Sequence, residues 1–91
     1  MRNRGQKFRQ WNSGALNPFR HAAILRAGVQ VDVQVQLSDA VTLIFVGIYT
    51  NSGYRVFEHC YGTLHKTNQT AVDWGMCMAE QTITIEASHP G

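Results

Sequence analysis

The sequence has few charged residues, few cysteines and no long apolar run, and each scarcity excludes a class of protein. Only 15% of its 91 residues are charged while 44% are hydrophobic, which excludes a chain disordered by composition and a charged coiled coil. Two cysteines, Cys60 and Cys77, are too few for a disulfide scaffold. Because no apolar signal segment stands near Met1, we expect a reduced cytoplasmic setting. The longest apolar run, Val41–Tyr49 with Thr42 inside it, is far shorter than the roughly 20 residues of a membrane-spanning helix.

The middle of the chain predicts a three-stranded antiparallel meander. Apolar and polar residues alternate without a break over 29–37, a pattern typical of a half-buried strand. Residues 41–50 are apolar on both faces, as in a central strand. Asn51-Ser52-Gly53 fits a three-residue hairpin loop with Gly53 in the left-handed position, which places a third strand over 54–61. The apolar residues of the first strand are Val29, Val31, Val33, Val35 and Leu37.

The flanking segments predict helices, and together these elements predict a small α+β domain. Asn17 and Pro18 suit the start of a short helix over 18–27, and Gly28 suits its end. Thr70 and Asp73 have the spacing of a capping box, which predicts a second helix from about residue 71, packed on one sheet face. Residues 83–87 either prolong this helix or form a short fourth strand. We therefore expect a flexible basic arm over 1–16 and a single domain over 17–91.

The predicted register leaves one sheet face with an aliphatic stripe flanked by glutamines. A stripe of this kind must be covered. We expect a second copy of the chain to cover it in a homodimer, although Phe8 and Trp11 of the arm, or the first helix, are alternative covers within one chain. The predicted oligomer interface consists of Ile44, Val46, Ile48 and Val56.

Charge is distributed unevenly along the chain. Residues 1–30 hold six basic and no acidic side chains, whereas residues 31–91 hold two basic and six acidic ones. A basic arm with interleaved aromatics indicates contact with nucleic acid through phosphate neutralisation and base stacking. It equally fits an arm that lies on its own acidic body or on a neighbour's. The candidate nucleic-acid contacts are Arg2, Arg4, Lys7, Phe8, Arg9 and Trp11.

A third hypothesis is a small-ligand site between the second helix and the sheet. The predicted core face carries the valines of the first strand together with several aromatic rings, and aromatic residues line many ligand pockets as well as cores. The candidate pocket residues are Phe45, Tyr49, Phe57, His59 and Tyr61.

Catalytic and metal chemistry have weak support in the sequence. Cys60, His65 and Cys77 include no tightly spaced ligand pair of the kind that zinc sites use. No strained nucleophile turn, paired carboxylates or glycine-rich phosphate loop occurs. We therefore expect a binding or interaction module without a cofactor or metal rather than an enzyme, and the sequence predicts no particular activity for it.

Two family resemblances have different implications. The predicted order of helix, three strands and helix over 18–81 resembles the double-stranded RNA-binding domain, but Ser38-Asp39-Ala40 stands where that family has a Gly-Pro-x-His type of loop, and Lys66 where it has clustered lysines. Thr70-Ala71, Trp74-Gly75 and Ala79, after the meander, resemble small bacterial α+β proteins encoded on mobile integron gene cassettes. The second resemblance implies a compact, often oligomeric domain, and it transfers no functional residue.

Overall fold

The computed structural model describes residues 4–14, 17–25, 28–38, 41–64 and 66–88. The four strands form one antiparallel sheet in the order β1-β2-β3-β4. Helix α2 packs on one face of the sheet, over β2 and β3, and helix α1 packs on the other, over β3 and β4. The predicted α+β class, the antiparallel meander and the packed C-terminal helix are confirmed. The elements are α1 (Gln6–Gly14), β1 (Phe19–Ile24), β2 (Gln30–Leu37), β3 (Val41–Tyr49), β4 (Arg55–Leu64) and α2 (Asn68–Ser88).

Strand β1 occupies the segment predicted as a helix, so the prediction of a helix over 18–27 is wrong. Asn17 has a φ of 51°, whereas a helix N-cap residue adopts an extended backbone. Gly28, with a φ of 75°, closes a hairpin in which Leu25 N–H donates to Val29 O at 2.8 Å. The left-handed glycine therefore serves a turn between two strands and not the end of a helix.

The turn between β3 and β4 confirms the predicted hairpin loop. Gly53 has a φ of 94°, its N–H donates to Thr50 O at 2.9 Å, and Thr50 N–H donates to Tyr54 O at 2.8 Å. The hairpin between β1 and β2 has the same two hydrogen bonds, since Gly28 N–H also donates to Leu25 O at 3.2 Å. The two loops follow one rule, but only the second loop was predicted from the sequence.

The central strand β3 presents its two faces opposite to the prediction. Val33 of β2 pairs with Val46, whereas the predicted faces place the valines of β2 on the same side as Phe45. Paired residues of an antiparallel ladder share a face, so a shift of one residue moves every side chain of a strand to the other side.

A β-bulge makes the corresponding shift between β3 and β4. Tyr49 pairs with Arg55, in agreement with the predicted loop, but Ile48 pairs with Phe57. Val56 is the extra residue on β4. The one-residue shift between β2 and β3 and the one between β3 and β4 cancel each other. The side chains of β2 and β4 therefore share faces as predicted, and only the side chains of β3 lie on the faces opposite to the prediction.

The hydrophobic core lies between α2 and the sheet. Strands β2 and β3 contribute alternate aliphatic residues to it, and α2 contributes small and branched ones. Each of these side chains is at most 3% exposed. The core residues are Val31, Val33, Val35, Ile44, Val46, Ile48, Ala71, Val72 and Ala79.

Helix α2 begins three residues earlier than predicted and extends through the segment for which a strand was the alternative. Thr67 caps its start, because the Thr67 side-chain oxygen accepts Thr70 N–H at 3.2 Å and the Thr67 carbonyl accepts Ala71 N–H at 3.0 Å. The predicted capping box is wrong, since Asp73 instead accepts a hydrogen bond from Gln69 at 2.9 Å. Residues 83–87 continue the helix, so the fourth strand of the sheet is β1 and not this segment.

Candidate functional site

Helix α1 has no acidic residue in its first turn, and a glutamate on strand β4 supplies the missing charge. The Glu58 carboxylate accepts Gly5 N–H at 3.0 and 3.1 Å and Phe8 N–H at 3.4 Å. The first N–H groups of a helix have no partner in the helix and carry partial positive charge. Glu58 therefore caps α1 from the sheet, and residues 6–14 of the predicted arm form a helix that packs on β3 and β4.

A buried polar network joins the start of α1 to three strands. Arg4 Nη1 lies 2.7 Å from Asp32 Oδ2 and donates to the Tyr49 hydroxyl at 2.9 Å. The Tyr49 hydroxyl in turn donates to Glu58 Oε2 at 2.6 Å. Asp32 is only 4% exposed, and a carboxylate so buried requires a charged or hydrogen-bonding partner. Arg4 supplies that partner.

Two pKa shifts follow from this network. Burial, together with the hydrogen bond to Glu58, raises the pKa of Tyr49 well above its usual value. Burial lowers the pKa of the Arg4 guanidinium, but the hydrogen bonds to Asp32 and Tyr49 outweigh burial and raise it overall. Tyr49 therefore acts as a neutral donor to Glu58, and Arg4 stays fully charged.

Aromatic contacts complete the docking of α1. Phe8 meets Phe45 edge to face with ring centroids 5.4 Å apart, and Trp11 stacks on Phe45 at 6.1 Å. Trp11 Nε1 donates to Gln34 Oε1 at 2.9 Å, so the indole is both buried and hydrogen-bonded. Helix α1 thus covers the sheet face that carries the glutamines, which was the alternative expectation for Phe8 and Trp11.

Three of the six residues predicted to contact nucleic acid make contacts within the chain when α1 packs on the sheet. Arg4 pairs with Asp32, and both Phe8 and Trp11 pack on the sheet. Lys7 and Arg9 are exposed, and Arg2 lies outside the described residues. The aromatic side chains are therefore not available for base stacking while α1 is docked.

The predicted oligomer interface is also placed wrongly. Ile44, Val46 and Ile48 are 0% exposed because the inverted β3 directs them beneath α2. Only Val56, the bulge residue, is exposed, at 48%. These four residues form no common surface for a second copy.

The predicted ligand pocket is divided between the two faces of the sheet. Phe45 and Tyr49 lie under α1 and are 0% exposed, whereas Phe57, His59 and Tyr61 lie on the α2 face, by their pairing with Ile48, Val46 and Ile44. A cavity of about 170 Å³ beside α1 contains none of the five. It is lined by Gln10, Trp11, Gly14, Gln36 and Leu43.

Three of those pocket residues instead form an aromatic row with a tryptophan of α2. The ring centroids are 6.2 Å apart for Phe57 and His59, 4.7 Å for His59 and Tyr61, and 5.0 Å for Tyr61 and Trp74. His59 is exposed and the other three rings are half-buried. The contact between Trp74 and Tyr61 joins α2 to β4.

Strand β1 is the most exposed strand of the sheet. Every residue in it except Ala23 is exposed, including Phe19 at 44% and Ile24 at 75%. Both helices make their main contacts with the other strands. Within the described residues, β1 pairs with β2 alone, so its outer edge faces no strand.

The backbone groups on that outer edge can be assigned. Leu25 N–H donates to Val29 O, so the odd-numbered residues of this strand direct their N–H and C=O groups toward β2. Successive residues of a strand alternate in this respect. Arg20, Ala22 and Ile24 therefore direct their backbone groups outward.

The surroundings of Cys60 disfavour an activated thiol. Burial raises the pKa of Cys60, whose Sγ lies 3.9 Å from Lys7 O, and this favours the thiol over the nucleophilic thiolate. Cys77 is exposed on α2. Among the described residues, no three His, Cys, Asp or Glu side chains are grouped as a metal site. His65 lies outside them.

The chain matches no protein-family model, no curated protein and no solved structure. Neither helix in the described part of the chain is long and apolar enough to cross a membrane. The observed order of one helix, four strands and one helix differs from the helix, three strands and helix on which the RNA-binding-domain resemblance depended. The likeness to integron cassette proteins stays a prediction.

Proposed function

We propose that this protein is a homodimeric interaction module whose two copies join through strand β1. The observation that carries the proposal is the double exposure of β1: its outer edge faces no other described strand, and neither helix makes a main contact with it. Exposed sheet edges are templates for pairing with another chain. The proposal keeps the predicted homodimer but places its interface on β1 instead of β3.

The opposite edge of the sheet is protected against such pairing. Strand β4 is bulged at Val56 and carries α1 on one face. Its Glu58 side chain points inward to cap that helix. Bulges, covering helices and inward-pointing charges are the usual means by which sheets block an edge. Strand β1 has a regular register with β2 and none of these protections.

A two-fold axis through Ala22 gives the best pairing of two β1 strands. Ala22 then faces its own copy, and Arg20 faces the partner's Ile24, so all three outward-directed residues exchange backbone hydrogen bonds. An axis through His21 would instead set Pro18 opposite Ile24, and proline has no N–H to donate. The small Ala22 side chain on the axis also leaves room for close approach.

A comparison of the free energy of the backbone hydrogen bonds with the cost of association shows which contacts decide the affinity of the dimer. About six backbone hydrogen bonds, each with a net contribution of about 1 kcal/mol, only match the lower end of the association cost of about 4–15 kcal/mol. Apolar contacts must supply the rest. Ile24 against the aliphatic stem of the partner's Arg20 is the contact that this register makes twice.

Sedimentation equilibrium of matched variants tests the proposal. Ile24→Lys sets a lysine opposite the partner's Arg20 and should convert the dimer to a monomer. Leu64→Lys is the control, because Leu64 is 83% exposed at the end of β4, and this variant should stay dimeric. Circular dichroism checks that both variants fold.

A charge reversal tests the register itself. In the double variant Arg20→Glu with Ile24→Lys, each glutamate faces the partner's lysine, so dimerisation should return. A wild-type chain that is monomeric, or an Ile24→Lys variant that remains dimeric, contradicts the proposal. Failure of the double variant to recover contradicts the register centred on Ala22.

A further inference from the structure

The aromatic row on β4 and α2 combines apolar ring surfaces with hydrogen-bonding groups that the described residues leave without partners. The row consists of Phe57, His59, Tyr61 and Trp74, and its members meet at steep angles: 67° between His59 and Tyr61 and 78° between Tyr61 and Trp74. Steeply inclined neighbouring rings make a ridged surface rather than a flat one. Phe57, Tyr61 and Trp74 pack at the edge of the core between α2 and the sheet and stay half-buried, and His59 is exposed.

Three members of the row carry polar groups at their edges. Within the described residues, the Trp74 indole N–H, the Tyr61 hydroxyl and the His59 ring nitrogens make no hydrogen bond. The other tryptophan differs, because Trp11 Nε1 donates to Gln34 at 2.9 Å. Trp74 and Tyr61 are half-buried, and such groups normally find a partner, whether water or a ligand.

No cationic side chain of the described residues stacks on the rings of the row. The only cation that stacks on rings in the described structure is Arg4, which lies over Phe8 and Tyr49 on the opposite face. Nucleic-acid binding by stacked bases requires cations to neutralise the phosphates. A neutral ligand with apolar rings and hydrogen-bond acceptors matches the row better.

We propose that the aromatic row binds a proline-rich peptide in the polyproline II conformation. Such a peptide presents pyrrolidine rings to the ridges between aromatic side chains, and its free carbonyl groups accept hydrogen bonds from Trp74 and Tyr61. It has no N–H at proline that would need an acceptor from the row. The row follows an extended strand, so an extended ligand can lie along it.

The probe is an oligoproline peptide, and the readout is the NMR signal of the two indole N–H groups. The Trp74 indole signal should shift on titration, whereas the Trp11 signal should not, because Trp11 is buried and bonded to Gln34. A Gly-Ser peptide of equal length should shift neither. Absence of a Trp74 shift, or equal shifts of both indoles, overturns the proposal.

Variants locate the site. Tyr61→Ala should weaken peptide binding by about tenfold or more, as removal of a central aromatic contact does. Tyr54→Ala is the control, since Tyr54 is 67% exposed just before β4 and outside the row, and its affinity should stay unchanged. Tyr61→Phe keeps the ring and removes one donor, so a loss of about threefold is expected.

Two further results distinguish other ligands. Selective shifts of Trp74 with a neutral oligosaccharide or an oligonucleotide, but not with oligoproline, contradict the peptide proposal. Retained oligoproline binding in the Ile24→Lys variant supports a site independent of β1, whereas loss of binding there with the fold intact contradicts the placement on β4 and α2.

Discussion

Glu58 shows how one residue can acquire its role from a segment far away in the sequence. The residue lies on β4 and, from the sequence, is only a charge on a strand next to aromatic residues. In the structure its carboxylate accepts N–H groups of Gly5 and Phe8 and the Tyr49 hydroxyl. No local pattern links Glu58 to α1, because the link depends on the chain returning across the sheet.

The raised pKa of Tyr49 leads to a prediction about alkaline stability. The folded chain favours the neutral phenol, so the contribution of Tyr49 to stability is complete below its unfolded pKa of about 10 and is lost as pH rises through the folded pKa. The free energy of unfolding should therefore begin to fall as pH rises past about 10, and it should keep falling toward the higher pKa of the folded state.

Denaturant titrations of two tyrosine variants check this prediction. Tyr49→Phe should be less stable at neutral pH by about 1.5–3 kcal/mol, since it loses a hydrogen bond to a carboxylate, but its stability should decline less at alkaline pH. Tyr54→Phe, at an exposed tyrosine, should decline as the wild type does. Equal declines in the two variants would show that Tyr49 is not the group responsible.

At the level of elements, helix α2 packs unusually close to the sheet at one point. A methyl group added to Gly75 would lie 2.7 Å from Val33 Cγ1 and 3.4 Å from Ile44 Cγ2. Both neighbours are 0% exposed in the core and have little freedom to move. The glycine therefore permits an approach that any larger residue would prevent.

Gly75→Ala should destabilise the protein by about 1–3 kcal/mol, measured as the free energy of unfolding in denaturant. Alanine favours a helix by about 1 kcal/mol over glycine, but the clash with Val33 outweighs this gain. Gly14→Ala is the matched control, because a methyl group there meets no atom within 4 Å. A Gly75→Ala variant as stable as the control would contradict the close contact.

For the whole molecule, folding brings the basic and the acidic parts of the chain into contact. The basic N-terminal segment lies on the acidic remainder, with Arg4 paired to Asp32 and α1 capped by Glu58. Arg4, one of the basic residues that suggested a nucleic-acid partner, is therefore paired within the chain. The dimer surface proposed on β1 depends instead on backbone hydrogen bonds and apolar contacts.

The association should therefore be insensitive to salt. Sedimentation equilibrium at low and high salt should give the same dimer, because screening weakens exposed charge pairs and leaves backbone pairing intact. The ratio of absorbance at 260 and 280 nm should show no nucleic acid in the purified protein. A nucleic-acid complex that dissociates as salt rises would favour the basic N-terminal segment as the binding element.

The sequence by itself determined the elements whose signals are local. The alternation along β2, the Gly53 loop and the apolar spacing of α2 depend on residues close together in the chain, and the strand, the loop and the helix that they predict all form. The prediction that β2 is only half-buried is wrong, because Asp32 and Gln34 on its second face are buried as well. The α+β class follows from them. Each signal reports a period or a turn that neighbouring residues enforce without help from the rest of the fold.

Tertiary structure decided the rest. Residues 19–24 form a strand because β2 offers them a sheet edge, which overrides a helix-like start and end. The direction in which β3 faces depends on the Val56 bulge and on a one-residue shift against β2, and no periodicity within β3 can report its register. Helix α1 is docked by partners on three strands. The predicted interface and pocket residues depend on these non-local pairings, and for that reason the sequence alone did not show that they lie apart or are buried.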